Sequence, residues 1–325
     1  MDITAVIINW NSKAYVRQCL RSLAEHRDDL EIEVIVLDNA SHDGCGEMLA
    51  VEFPGARFIQ SEKNLGFAGG NNMAAAQATA SVLVFLNPDT EVRGGALRKL
   101  LEVIRSRPDA GAVGARLLNS DGTLQTSCIQ AFPSVLGLFL DGNLLRGWAP
   151  RARLWGMAPL YDKGAGPFVV EGISGACIMT PRNAFEAVNG FSEEYFMYYE
   201  DMDYCLKVQK AGWRNYYVPE AEIVHHGGKS SASAQSAFSS VMMAESAQRF
   251  FKKEQGAFRA GLFRLTMAMK AFIRLGLLSG FYMITWPAAR RHRIASACRK
   301  WISVFRWAFG AEKWAASYQQ PPSDV

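Results

Sequence analysis

The sequence predicts an α/β fold, a parallel sheet covered by helices, with a basic helical extension behind it. Three observations predict it. Short β-branched apolar runs alternate with amphipathic stretches over residues 1–120. Three of those runs end in Asn or Asp, where ligands of open parallel sheets collect. Charge is divided as well. Arg249–Lys313 holds fourteen Lys and Arg against two acids, Glu254 and Glu312, while the whole chain is only +4, so the residues before it are net acidic.

The elements follow in order. Ile3–Asn9 is an apolar run suited to a buried strand. Ser12 can cap a helix whose Val16, Cys19, Leu20 and Leu23 share one face. Glu33–Leu37, Arg57–Ile59 and Val82–Leu86 read as further strands, Ala68–Ala80 as an Ala-rich helix, and Gly94–Ser106 as an amphipathic helix stopping before Pro108. Asn119-Ser120-Asp121-Gly122 is a hairpin turn. Residues 128–168, with Pro133, Pro150, Pro159 and Pro167, form a long irregular excursion suited to substrate loops. Regular structure returns at Val169–Thr180, and Pro181 suits a helix first turn. Asp201–Lys210 reads as a helix, Tyr216–Val218 and Glu222–Val224 as two short strands, and everything from about Phe238 as helical.

At 325 residues, 49% hydrophobic and 20% charged, the chain suffices for one large domain, or one with an appendage. That composition excludes a disordered or fibrous chain. The six cysteines are scattered without C-x-x-C spacing, which argues for buried thiols in a reducing compartment and against a zinc knuckle or a thioredoxin-type motif. Nothing at the N-terminus has the pattern of a signal peptide. The expected place of action is the cytoplasm.

Polar residues follow the strands: Asn9-Trp10-Asn11-Ser12, Asp38-Asn39-Ala40-Ser41 and Asn87-Pro88-Asp89-Thr90. Asp and Asn also favour turns and caps, which would explain any one of these. Three at the same end of adjacent strands favour a site. Asn64-Leu65-Gly66-Phe67-Ala68-Gly69-Gly70-Asn71-Asn72 is a glycine-rich loop entering a helix, a place for anions and close backbone approach, although an ordinary turn looks similar. It is neither the dinucleotide fingerprint nor a P-loop. Asn87-x-Asp89 offers two oxygen ligands to a hard divalent cation, and His225 of the His225-His226 pair could add an imidazole, though a His pair alone reads as a surface turn or a hydrogen-bonded core position. Zinc is disfavoured for want of nitrogen and sulfur ligands. Glu200-Asp201-x-Asp203 opens a helix after Tyr195-Phe196-Met197-Tyr198-Tyr199. Acids suit a helix N-terminus, yet carboxylates beside aromatic rings are also what a sugar site uses, which makes Tyr198, Tyr199 and Glu200 acceptor-side candidates.

The ordered succession V-I-I-N-W-N-S, L-D-N-A-S, N-L-G-F-A-G-G-N-N, F-L-N-P-D-T, S-G-A-C-I-M-T-P-R, Y-Y-E-D-M-D-Y and V-H-H-G-G-K-S resembles glycosyltransferase family 2, and within it the bacterial rhamnosyltransferase-type enzymes. The likeness covers residues 1 to about 230. It implies a GT-A fold (a mixed, mostly parallel sheet flanked by helices), a nucleotide-sugar donor, a divalent cation (Mg2+ or Mn2+) and inversion at the anomeric carbon. By residue, it implies that Asn9 and Asn11 line the nucleotide pocket and that Asp38 bonds the base or ribose. Asn64, Gly66, Gly70 and Asn71 shape the pocket floor, and Asn87 and Asp89 occupy the D-x-D position, with Asp89 the metal ligand. Asp201 matches the catalytic base and His225 the position that completes the metal site. Two departures stand out: Asn87 is neutral where many relatives carry Asp, and Asn189-Gly190-Phe191 replaces Gly-Gly-Phe.

The expected activity is inverting transfer of a sugar, rhamnose from dTDP-rhamnose, to a saccharide or lipid-linked saccharide in cell-surface polysaccharide synthesis. A sugar nucleotidyltransferase would carry a basic Gly-rich loop near the first strand, absent here, and intact Asp38, Asp89 and Asp201 weigh against a non-catalytic nucleotide-sugar-binding scaffold. Expected domains are a transferase domain, 1–235, and a basic helical region, 236–325. Its longest uncharged run, Leu275–Ala289, is interrupted by Gly276, Gly280 and Pro287 and is shorter than the about 20 residues of a spanning helix. A peripheral segment on the anionic inner face of the cell membrane is favoured over a solvated subdomain, with a re-entrant or spanning hairpin the alternative. The motifs give nucleic acid no support.

Overall fold

The structure, a computed structural model, describes residues 1–140, 164–227, 237–284 and 288–317, with side chains at all of these except 281, 283–284 and 288–293. These form two compact units. One comprises residues 1–132, 164–196 and 200–227; the other comprises 133–140, 197–199, 237–284 and 288–317.

The first unit is built on a nine-stranded sheet. Its strands are β1 (Ile3–Asn9), β2 (Ile32–Asp38), β3 (Arg57–Gln60), β4 (Val82–Leu86), β5 (Thr90–Val92), β6 (Ala110–Leu118), β8 (Phe168–Val170), β10 (Cys177–Pro181) and β11 (Arg214–His225). The order is β3-β2-β1-β4-β10-β6-β11-β5, with β8 also on β11. β1, β2, β3, β4, β6 and β11 run one way, whereas β10, β5 and β8 run against them. The sheet is mixed and mostly parallel, as the resemblance implies. β7 (Ile129–Gln130) and β9 (Gly172–Ile173) form a separate antiparallel pair.

β1 and β4 are buried at every position, which is why their sequences are continuous apolar runs. Helices α1 (Lys13–Glu25), α2 (Cys45–Glu52), α3 (Gly66–Ala75), α4 (Ala96–Ser106), α6 (Arg182–Ala187) and α7 (Glu200–Lys210) accompany the sheet. A Cβ at Gly114 of β6 would lie 2.0 Å from Ile173, so that strand can carry β9 this closely only as glycine.

Several elements differ from expectation. The Ala-rich helix stops at Ala75 rather than Ala80, because the Thr79 N–H bonds the Glu33 carboxylate and Arg57 takes the Gln77 carbonyl, turning the chain into β4. The two short strands expected near Tyr216 and Glu222 are one strand, β11, with its register shifted between Val218 and Glu222. Pro181 ends β10 and caps α6 instead of opening its first turn. Of the excursion at 128–168, residues 141–163, with Pro150 and Pro159, lie outside the described residues. All six cysteines are free, five of them buried.

The second unit is helical: α5 (Val135–Leu140), α8 (Ala237–Ile284), α9 (Ala288–Ala308) and α10 (Trp314–Ser317). Within α8 two helical segments meet at Gly256, whose φ of 86° and ψ of 170° break the helix. Its core holds Phe250, Phe251, Phe263 and Trp307, and the Trp307 indole donates to Glu245 at 2.7 Å. Arg264 closes the C-terminal end of α9 through the carbonyls of Trp307 (2.7 Å) and Ala308 (2.8 Å). The Tyr199 ring lies 5.8 Å from that of Phe250, and Ser246 donates to the Met197 carbonyl at 2.8 Å. No described helix is long and apolar enough to cross a membrane.

Candidate active site

Parallel pairing sets Asn9 opposite Asp38 and Asp38 opposite Gln60 at the carboxyl ends of β1, β2 and β3. Asn9 is wholly buried and donates to Asp38 (2.7 Å), Ser41 (3.0 Å) and Asp43 (3.0 Å), while its oxygen accepts from the Ser12 N–H and hydroxyl. It therefore braces the turn that presents Asp38. Asp38 also accepts from the His42 N–H (3.0 Å), Gln60 (2.9 Å) and the Ser41 hydroxyl. Burial alone would raise its pKa, but these donors outweigh it and hold the carboxyl below the usual carboxylate range. Beside Asp38 opens a cavity of about 570 Å3, lined also by His42, Cys45, Leu49, Phe58 and Gln60.

Asn39 ties this corner to the glycine-rich loop. Its amide donates to Asn64 (2.8 Å) and the Gly66 carbonyl (3.0 Å) and accepts from the Leu65 N–H (2.8 Å). Gly66 has φ of 70°, and a Cβ there would lie 2.4 Å from the Phe196 carbonyl. Only glycine lets the Phe67 N–H reach that carbonyl at 3.0 Å, pinning the chain just before the Glu200-Asp201 helix. Gly70 and Asn71 serve the packing of α3: Gly70 lies over Ile8, and Asn71 donates to the Phe67 carbonyl. Asn11 is exposed, with φ of 51°, and joins neither cluster. Tyr198 and Tyr199 belong to the helical unit, and both carry φ of 69°.

A second cluster forms where β5 pairs with β11, Thr90 opposite His225. His225 Nε2 lies 3.3 Å from Asp89 Oδ1 and 3.3 Å from Asn87 Nδ2. Burial would raise the Asp89 carboxyl, but the His225 imidazole, through its hydrogen bond and charge, keeps it below the usual range. A chain of amides fixes the imidazole. The Asn119 amide donates to the Leu124 carbonyl (3.4 Å), which turns its oxygen toward Gln125 Nε2 (3.1 Å). Gln125 Nε2 also donates to the His225 carbonyl (3.3 Å), so its oxygen faces His225 Nδ1 at 2.7 Å. Carbonyls only accept, so Nδ1 carries a proton and Nε2 is the nitrogen facing Asp89: it donates to the carboxylate when protonated and offers a lone pair to a cation when it is not. His226 instead faces Glu91 (2.7 Å) and Ser120 (2.8 Å).

Asp89 and His225 fit a hard cation as a pair. Mg2+ sits about 2.0–2.1 Å from each octahedral ligand, which places neighbouring ligand atoms about 3 Å apart. Among the described residues no three of His, Cys, Asp and Glu gather at one point, so water or phosphate oxygens would complete such a site.

Asp201 opens α7. Its Oδ2 accepts the Gly175 N–H at 2.9 Å and its Oδ1 the Met202 N–H at 2.8 Å. The next residue, Ala176, accepts the Asn87 N–H at 3.0 Å. Successive Cα atoms are about 3.8 Å apart, so Asp201 and the Asn87-Pro88-Asp89 turn are fastened to adjoining residues of one loop. Burial raises the Asp201 carboxyl, opposed by its two N–H donors. Burial, then the Asp201 charge, drive Glu200 further above the usual range, and Glu200 Oε2 has no hydrogen-bond partner among the described residues. Asp203 is not part of this site; buried, it accepts from Ser192 at 2.6 Å. Asn39, Gly175 and Gln125 are organising residues that sequence reasoning does not single out. The first two lie inside the quoted motifs, and no local signal marks Gln125.

The architecture is the GT-A fold. The mannosyltransferase PcManGT from Pyrobaculum calidifontis, solved in complex with GDP-Man and Mn2+, superimposes with a TM-score of 0.54 at 18% identity, covering 98% of this chain and 84% of that one. The chain belongs to glycosyl transferase family 2, whose family model matches residues 4–187, and it is a glycosyltransferase. It is similar to the N-acetylglucosaminyl-diphospho-decaprenol L-rhamnosyltransferase of Mycobacterium tuberculosis, 29% identical over 242 residues, which are 69% of this chain and 76% of the relative. It is also similar to the rhamnosyltransferase WbbL of Escherichia coli, 26% identical over 231 residues, 68% and 82% of the two chains.

Proposed function

We propose that the chain is an inverting rhamnosyltransferase, moving rhamnose from dTDP-rhamnose to a saccharide or lipid-linked saccharide in cell-surface polysaccharide synthesis. Support for the sugar comes from the two rhamnosyltransferase relatives, and support for a prenyl-diphosphate-linked acceptor from the name of the mycobacterial one. What carries the chemistry is the joint fastening of Asp201 and the Asn87–Asp89 turn to Gly175-Ala176.

In this reading Asp38, ionised and held by its donors, takes the base or ribose, with Asn64 and Gly66 shaping the floor beside it. Asp89 and His225 are the residues that would hold the divalent cation, Mg2+ or Mn2+. When bound there, such an ion would offset charge developing on the departing diphosphate. Asp201 accepts the proton of the attacking acceptor hydroxyl. Its two N–H donors favour its ionised form, whereas Glu200, lacking such donors at Oε2, stays the neutral member of the pair. Attack from the face opposite the diphosphate inverts the anomeric centre without an enzyme nucleophile.

The test is a thermal-shift panel of nucleotide sugars with Mg2+ or Mn2+, followed by NMR of the glycosidic product. Stabilisation by dTDP-rhamnose and an inverted anomeric centre are expected. A retained configuration would refute the mechanism, and stabilisation by a different nucleotide sugar alone would refute the donor.

A further inference from the structure

The second segment of α8, from Ala257 on, is apolar on two opposite sides. One side, with Ala260, Phe263, Ala268 and Ala271, is buried within the helical unit. On the other, Phe258, Leu262, Leu265, Met269 and Phe272 recur at intervals of three or four residues and are all exposed, Phe258 at 81%, Leu265 at 65% and Phe272 at 69%. At about 1.5 Å per residue this stripe runs for about 21 Å. Gly261 and Gly276, also exposed, leave open space around its larger side chains. Soluble surfaces rarely leave so long an apolar row bare.

The charge around it is of one sign. From residue 255 to 311 the chain has no Asp or Glu, while Lys and Arg recur throughout. Arg259 is exposed beside the stripe. Arg264 is held by carbonyls and Arg274 lies over the Trp301 ring, partners that leave their positive charge in place. A second copy of this chain would bring two such acid-free basic helices face to face, a like-charge arrangement. An anionic bilayer surface meets both features at once, apolar stripe and basic surround.

We infer that this face of α8 is an in-plane membrane anchor. The stripe lies in the headgroup–acyl boundary of an anionic leaflet, and the helix runs parallel to the surface, consistent with its lacking the apolar length to cross. The inference does not depend on which sugar or acceptor the enzyme uses. The longest uncharged run of the sequence, Leu275–Ala289, begins just beyond this stripe; residues 285–287 lie outside the described residues.

The experiment is flotation of the full chain with vesicles of phosphatidylcholine, with and without phosphatidylglycerol, alongside analytical ultracentrifugation. Binding to the anionic vesicles only, weakened by salt, is expected. The triple variant F258S/L265S/F272S should lose about a hundredfold or more in vesicle affinity with its thermal unfolding unchanged. F272S alone, a milder change at an exposed position, should lose about tenfold. V51S, at an exposed residue of the other unit, should lose nothing. Equal vesicle binding by F272S and the parent chain would overturn the inference. So would a dimer that the triple variant dissociates in a protein that never floats.

Discussion

Replacing Asp201 by Asn separates its catalytic role from its structural one. The side chain keeps its shape but has one accepting oxygen where the carboxylate had two. Oδ1 can go on accepting the Met202 N–H (2.8 Å), and the amide nitrogen then faces the Gly175 N–H across 2.9 Å. An unsatisfied N–H costs about 1–3 kcal/mol, partly offset by removing a carboxyl whose ionisation burial opposes. We expect a net loss of no more than about 2 kcal/mol in urea unfolding. Transfer should suffer more. Loss of a general base costs about 10²–10⁴ in rate, equivalent to about 2.7–5.4 kcal/mol of barrier. Stabilisation by donor and cation should survive, because Asp201 touches neither in the proposed arrangement. The pH profile gives a second readout. Burial raises the Asp201 pKa, so the rate of the parent enzyme should rise with pH through a limb above the ordinary carboxylate value, and the variant should lack that limb. Stability runs the other way. As pH rises the unfolded chain releases this proton first, so the parent loses stability between the ordinary carboxylate value and the raised one, and the variant does not. Full turnover by the variant, or an unchanged acid limb at reduced rate, would refute Asp201 as base.

Four further outcomes follow. Asp89→Ala should weaken cation-dependent donor binding by more than about a hundredfold in calorimetry; an unchanged titration would exclude Asp89 as ligand. Gln125→Leu removes the acceptor at His225 Nδ1 and should cost about 10–100-fold in Mn2+ affinity by electron paramagnetic resonance, with Gln125→Glu largely restoring it. Gly66→Ala adds a left-handed penalty of about 1–2 kcal/mol to a clash with the Phe196 carbonyl, so urea stability should fall by more than about 1 kcal/mol. Asp38→Asn should flatten acid denaturation: the depressed Asp38 pKa contributes stability above the ordinary carboxylate value that is lost as pH falls through the lower one, and urea midpoints at about pH 6 and pH 3 would show it.

What the sequence discloses and what it hides divide along a physical line. β1 and β4 match their expected bounds because a continuous apolar run flanked by polar residues has one low-energy fate in a covered sheet. β6, AGAVGARLL, carries weak β propensity; it is a strand because Gly111 and Gly114 admit side chains of Val208, Trp213 and Ile173, all from later in the chain. α2 escapes notice because it is short, scarcely amphipathic, and starts from Gly44 at φ of 81°. Pro219 in β11 looks like a strand break, but it falls in an irregularity that the strand absorbs. The site divides the same way. Asn9, Asp38 and Asp89 follow strands, where chain direction alone points to a crevice. Gln125 acts on a residue 100 positions away and Asp201 on one 26 positions away, which no local pattern encodes.

Backbone geometry at the β1 and β2 ends connects those two halves. Asn11, Ala40 and His42 all hold positive φ in the loops that follow these strands. Asn tolerates this region and Ala does not favour it, so Ala40 at φ of 60° is held there by its neighbours. On one side the Asn39 N–H bonds the Asn9 carbonyl at 2.8 Å; on the other the Ser41 hydroxyl and His42 N–H both bond the Asp38 carboxylate. The carboxylate therefore closes the strained turn that presents it. Charge at Asp38 and the shape of the loop are one structural decision, which is why a residue proposed to receive the nucleotide is also predicted to govern acid stability.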